Sequence, residues 1–145
     1  MFVGVFEHKT DANGRVALPA AFRDVLGGEC YLRRHPDGSL KVLDGPTYRE
    51  EAQSLRARMQ AGEVDPDELA ELGESTVRVA IDKNGRVTLD ADSLAHAGIE
   101  PGGNVTFAGN VFWIAIWNPA QHAAHTAARQ AAKAANAATN QESAR

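Results

Sequence analysis

"DANGRV", residues 11–16, returns seventy-one positions later as "DKNGRV", residues 82–87, changed at one position. Aligning the chain with itself at that offset also pairs Leu18 with Leu89 and Gly27 with Gly98. An internal repeat constrains the architecture before any single element is assigned. Period-two apolar positions precede each copy, Val3 and Val5 in "FVGVFEH" and Val77, Val79 and Ile81 in "STVRVAI", as in half-buried strands. Asn13-Gly14 and Asn84-Gly85 tolerate positive φ in tight turns, and alternation resumes with Val16 and Leu18 or Val87 and Leu89. Each hexapeptide therefore reads as a hairpin tip.

A short helix follows each tip. In the first copy Pro19 suits the first helical position, Phe22, Val25 and Leu26 form an apolar face, and Gly27-Gly28 is a stop. In the second, Asp90 is a natural N-cap, Leu94 and Ala97 face inward, and Gly98 ends the helix. Further strands follow: "CYLRR" with "SLKVL" around "HPDG", and "NVTFA" with "VFWIAIW" around Gly109-Asn110. Along the last of these, Trp113 and Trp117 share one face and Phe112 takes the other.

Four segments result: a first repeat over 1–45, a helical connector over 46–76, a second repeat over 77–118 and an alanine-rich tail over 119–145. In the connector Tyr48, Ala52, Leu55 and Met59 recur at helical spacing, and Asp65 caps a second short helix, "PDELAELG". The tail is expected to be a helix from "NPAQ" that frays into an unstructured "TNQESAR".

Composition narrows the function classes. With 145 residues, 43% of them hydrophobic, and a single cysteine, the chain can build one core but no disulfide framework. A net charge of −4 argues against nucleic-acid binding, yet residues 46–76 hold three basic and eight acidic residues and carry most of the acidity. The regions around the two hexapeptides are close to neutral. Without a signal-like leader or an apolar run of membrane-spanning length, a cytoplasmic protein with no membrane partner is expected. Cys30 reads as a small buried hydrophobe, and His122 and His125, spaced i, i+3, as incidental surface histidines, so no metal and no cofactor are expected. No phosphate-cradling loop, serine elbow or paired catalytic carboxylates appear, so neither an enzyme nor a small-molecule substrate is expected.

The residues Glu7, His8, Asp11, Gly14, Arg15, Val16, Pro19, Phe22 and Arg23, then Asp82, Gly85, Arg86, Val87 and Ile116-Trp117, together resemble the MraZ family over roughly residues 1–118. That family comprises bacterial transcriptional regulators encoded at the head of the division and cell-wall gene cluster. The resemblance implies an α+β fold of two AbrB-like swapped-hairpin β-barrel halves with short helices, subunits assembled in a ring, and double-stranded DNA bound along one face. It further implies that Arg15 and Arg86 contact DNA at G-rich direct repeats of the protein's own promoter, most simply as a nucleoid-associated repressor. The second copy departs from the pattern, with Asp90 in place of a proline, Leu94 near the place of an arginine matching Arg23, and the acidic "DPDELAELGES" before its motif.

Each signal also has a plainer explanation. Arg15 and Arg86 can pair with Asp11 or Asp82 and merely stiffen the turns. Lys9 and Lys83 flank the tips and suit phosphates, but solvated lysines are as common there. Asn13 and Asn84 are accounted for by turn geometry. The competing function is a protein-binding module of the same fold, antitoxin-like or scaffolding, working through the acidic connector or the tail.

Overall fold

Strand β1 (Val5–Lys9) enters the first hexapeptide and β2 (Arg15–Ala17) leaves it, but each finds its partner in the other copy. The structure, a computed structural model, describes residues 1–143. The second copy repeats the arrangement with β5 (Thr76–Ala80) and β6 (Arg86–Thr88). Helix α1 (Ala20–Leu26) and strands β3 (Glu29–Arg34) and β4 (Leu40–Leu43) complete the first copy; α4 (Ala91–Ala97), β7 (Asn104–Gly109) and β8 (Ile114–Trp117) complete the second. The order across the main sheet is β1-β7-β8-β4-β3-β5, and β2 pairs with β6 in a separate two-stranded ribbon. The sequence of strands is thus unchanged when the copies are exchanged. Registers obey the same exchange, with Phe6 opposite Phe107 and Val77 opposite Leu32.

Two expectations are corrected here. The hexapeptides are tight turns, but their flanking strands do not continue as local hairpins, because longer apolar ladders are available with the other copy. Nor do the copies close into two barrels: all the sheet pairings are antiparallel, and β1 and β5 are open edges of one six-stranded sheet.

The inner face of this sheet carries the core. Val105, Phe107, Ile114, Ile116, Leu40, Val42, Cys30 and Leu32 are buried there. Val16 and Val87 from the ribbon, Phe22 and Leu26 from α1, and Leu94 and Ala97 from α4 close over them. In β1 the inward residues are Phe6 and His8, whose rings lie edge-on to Phe22 and Phe107, whereas Val5 is 61% exposed. The valines expected to face inward therefore face outward; the larger apolar area of the aromatics decides the register. Val25 is likewise more exposed than expected, while Phe22 and Leu26 are buried.

Helices cover the outer face. Asp44 caps α2 (Gly45–Gln60) by accepting the Thr47 N–H at 2.8 Å, and Tyr48 stacks flat on Tyr31 at 4.7 Å. The expected stripe of Tyr48, Ala52, Leu55 and Met59 is half-buried. Glu51 fastens the helix, accepting from Arg33 at 2.5 Å and lying 3.8 Å from Lys41, whose ammonium sits over the Trp113 ring. Glu51→Ala is expected to cost about 1–3 kcal/mol in urea unfolding, since it leaves a mostly buried guanidinium without its acceptor. Faster amide exchange in α2 would accompany the loss, and unchanged stability and exchange would refute this role.

The connector continues with α3 (Asp67–Ser75), whose first turn has the Asp65 carboxylate accepting the Asp67 N–H. Over the other half of the sheet, Ala108, Ala115 and Trp117 form a second apolar cluster, with the His125 ring 4.8 Å from Trp117. Helix α5 (Pro119–Ser143) runs from here through the segment expected to be unstructured, leaving only residues 144–145 of it outside the described residues. Alanine's high propensity, with no proline or glycine after Pro119, carries the helix onward. Phe112 also departs from expectation: it lies in the bend before β8 and is 65% exposed.

Candidate nucleic-acid interface

Each tip is built by one aspartate. The Asp11 carboxylate accepts the N–H groups of Asn13 and Arg15, both at 2.9 Å, while its carbonyl accepts Gly14 N–H at 3.1 Å. Asp82 does the same with Asn84, Arg86 and Gly85. In each turn only the glycine has positive φ, +78° at Gly14 and +73° at Gly85, so both asparagines serve through their backbone. The Arg15 N–H, outweighing an opposing desolvation and joined by the Asn13 N–H, holds the Asp11 carboxyl below the usual carboxylate range; the Arg86 and Asn84 N–H groups do the same at Asp82.

The tips are tied to each other as well. Leu18 N–H donates to the Gly85 carbonyl and Leu89 N–H to the Gly14 carbonyl, both at 2.9 Å. A Cβ on Gly14 would lie 2.8 Å from the carbonyl oxygen of Leu89, the residue whose N–H binds the Gly14 carbonyl. Gly14→Ala is therefore expected to destabilise the protein by roughly 1–3 kcal/mol, read as a lowered urea midpoint. A midpoint equal to that of wild type would show that the turn relaxes freely.

The two-residue period of the ribbon sorts its side chains. Val16 and Val87 pair directly and point into the core, so Arg15 and Arg86 emerge together on the outer face as diagonal neighbours. Such neighbours stand roughly 7–8 Å apart. Each arginine side chain is 47% exposed, and one carboxylate serves both: Arg15 Nε donates to Asp11 at 2.8 Å and Arg86 lies 4.0 Å from the same oxygen. Arg86 thus faces the aspartate of the other copy rather than its own Asp82. Sequence separation alone gives no hint of that.

Lys9, Thr10, Asp11, Arg15, Ala17 and Arg86 line a shallow hollow of about 190 Å³. Three of the four expected site residues, Arg15, Arg86 and Lys9, are thereby brought together. Lys83 is exposed on the second turn outside the hollow, because its counterpart by the repeat is Ala12 and not Lys9. Sequence reasoning missed the central place of Asp11 and the packing of Arg23 against the second tip, where a Cβ on Gly85 would overlap the Arg23 guanidinium. The repeat offset held the signal, since it sets Arg23 against Leu94, which packs on Gly14 in the same way.

Other candidates lie apart from this face. Burial pushes the Cys30 thiol up to about 12, so it stays protonated within the core. His122 and His125 rest against Trp117, and burial lowers the His122 pKa, helped by Arg129 and His125. Among the described residues no cluster of three or more His, Cys, Asp or Glu is placed to hold a metal ion, and no helix is long and apolar enough to cross a membrane.

A transcriptional regulator MraZ from Beijerinckia indica subsp. indica is 35% identical over 130 residues, which cover 86% of this chain and 77% of the relative. The chain belongs to the MraZ family. Transcriptional regulators MraZ of Rhodococcus jostii and Mycolicibacterium smegmatis are 35% and 34% identical over 122 residues, covering 81% of both chains in each comparison. No family model matches the sequence. Membership of the MraZ family places the chain among transcriptional regulators.

Proposed function

We propose that the chain is a sequence-specific DNA-binding regulator that reads G-rich direct repeats through Arg15 and Arg86, most simply as a repressor of its own division and cell-wall operon. The observation that carries this is the placement of two half-exposed guanidinium groups on one outward face of a two-stranded ribbon. A β-ribbon fits the major groove, where a guanidinium can donate to both O6 and N7 of guanine. A separation of roughly 7–8 Å corresponds to about two base steps of 3.4 Å, so both arginines can address one short G-rich element. Lys9 on the rim, and Lys83 beside the second turn, supply phosphate contacts without sequence preference.

The exchange of strands between repeats 1–45 and 77–118 supports a swapped-hairpin origin for this ribbon. Assembly into a ring would multiply one tip pair per subunit along repeated DNA, so that few charges per subunit suffice in an acidic chain. Exposed Met1, Val3, Val5 and Phe112 at the open β1 edge suit a subunit contact, since an unprotected apolar edge otherwise invites pairing.

Salt-titrated binding to the DNA upstream of the protein's own gene, against a scrambled duplex of equal length, tests the proposal. Tight binding that prefers the upstream DNA and falls steeply with salt is expected. Equal, weak and salt-insensitive binding to both duplexes would refute it and favour a protein-binding module that uses the acidic connector.

A further inference from the structure

Arg23 breaks the exchange symmetry of the tips, beside the change from Ala12 to Lys83 and the sharing of Asp11 by both tip arginines. Each short helix lays a side chain over the glycine of the other copy's turn: Leu94 of α4 over Gly14, and Arg23 of α1 over Gly85. Leucine shows that an apolar side chain is enough to cover such a glycine, and Leu94 is buried in doing so. The guanidinium in the matching place carries a charge that packing does not need. Its Nε is enclosed and has no hydrogen-bond acceptor. None of the ion pairs among the described residues uses Arg23, although Arg15, Arg33, Arg58, Arg78 and Arg86 all have carboxylate partners.

Arg23 is partly buried as a residue, and with Nε enclosed it is the terminal nitrogens, which also have no protein acceptor among the described residues, that are left to meet an acceptor from outside; their planar fork of donors best suits an oxyanion with two oxygens. Gly85 directly precedes Arg86 in the chain, so an anion held here would lie at the tip that presents Arg86. We propose that Arg23 is a backbone-phosphate ligand of the nucleic-acid interface, lent by the first repeat to the tip of the second. This rests on the DNA-binding function proposed above. The missing arginine of the second copy then takes on a meaning: Leu94 leaves the first tip without a phosphate ligand of this kind, and the two tips grip DNA unequally.

The test is a salt titration of the full-length protein on its upstream duplex and on a scrambled duplex, comparing wild type, Arg23→Leu and Arg23→Lys. Arg23→Leu copies the packing that Leu94 provides, so thermal stability should hold while the charge is lost. The slope of log affinity against log salt is expected to shrink by about 0.9 per lost contact, with the same fold loss on both duplexes, and Arg23→Lys should restore the slope. A wild-type slope and affinity in Arg23→Leu would overturn the proposal, and so would a loss that tracks a lowered melting temperature and is not restored by lysine. Should Arg15→Ala abolish upstream preference while Arg23→Leu changes nothing, the DNA-reading function stands and only the phosphate role falls; absence of salt-dependent binding in wild type would remove both.

Discussion

Arg15→Ala is expected to weaken binding to the upstream duplex more than Arg86→Ala does. On the proposed function each substitution removes one bidentate donor to guanine, a loss of about 1–3 kcal/mol, or roughly 5- to 150-fold in affinity per tip. The two differ in what they leave behind. Without Arg86, Asp11 keeps its close pair with Arg15 at 2.8 Å; without Arg15, it keeps only Arg86 at 4.0 Å and turns a poorly compensated carboxylate toward the DNA phosphates. Fluorescence anisotropy at two salt concentrations can separate the effects. Arg86→Ala should lose upstream preference with a modest change in non-specific binding, whereas Arg15→Ala should lose both. Equal losses in the two variants would mean that Asp11 is not shared as the geometry indicates, and unaltered binding in both would return these arginines to a purely turn-stiffening role.

Phe22→Ala should have the largest effect on the fold itself, about 3–5 kcal/mol. Phe22 is only 1% exposed, and its ring receives Phe2 and Phe6 edge-on at 5.6 and 5.2 Å. Emptying this site uncouples α1 from the N-terminal strand and removes the packing that aims Arg23 at the second tip. Against a typical total stability of about 5–15 kcal/mol, the urea midpoint should drop by a large fraction of its value. Val25→Ala, three residues along the same helix at 38% exposure, should cost less than about 1 kcal/mol. Similar losses from the two substitutions would place the core boundary of α1 elsewhere.

Local chemistry was legible in the sequence at the turns and at most caps, although Pro19, expected at the first helical position, stands one residue before α1 with an extended ψ. Asp11 and Asp82, Gly14 and Gly85, the Asp90 cap and the Gly98 stop all act where their spacing predicts. Partner choice was not legible. Alternation shows that a strand has two faces, but nothing within "FVGVFEH" says that β1 will lie on β7, about a hundred residues away, or that Phe6 and His8 will outcompete Val3 and Val5 for the interior. The same limit applies to the site. That two arginines follow two turns was evident; that they share one aspartate follows from β2 pairing with β6, a contact between copies. The extent of α5 was not legible for another reason: the polar residues in "TNQES" carry no helix signal, yet none of them breaks a helix already propagating through alanines.

The exchange of strands also sets a timetable for synthesis. When β1 leaves the ribosome its partner β7 is still about a hundred codons away, which at roughly 5–20 residues per second is a wait on the order of 5–20 s. Until then Phe2, Phe6, Phe22 and Val16 lack the part of their core that the second copy supplies, and β3 likewise waits for β5. The first repeat therefore cannot mature into a smaller working version of the protein, and a nascent chain halted in the connector should be a client for chaperones or proteases. Because Arg15 and Arg86 come together only when β2 pairs with β6, an unfinished chain cannot present the two arginines side by side.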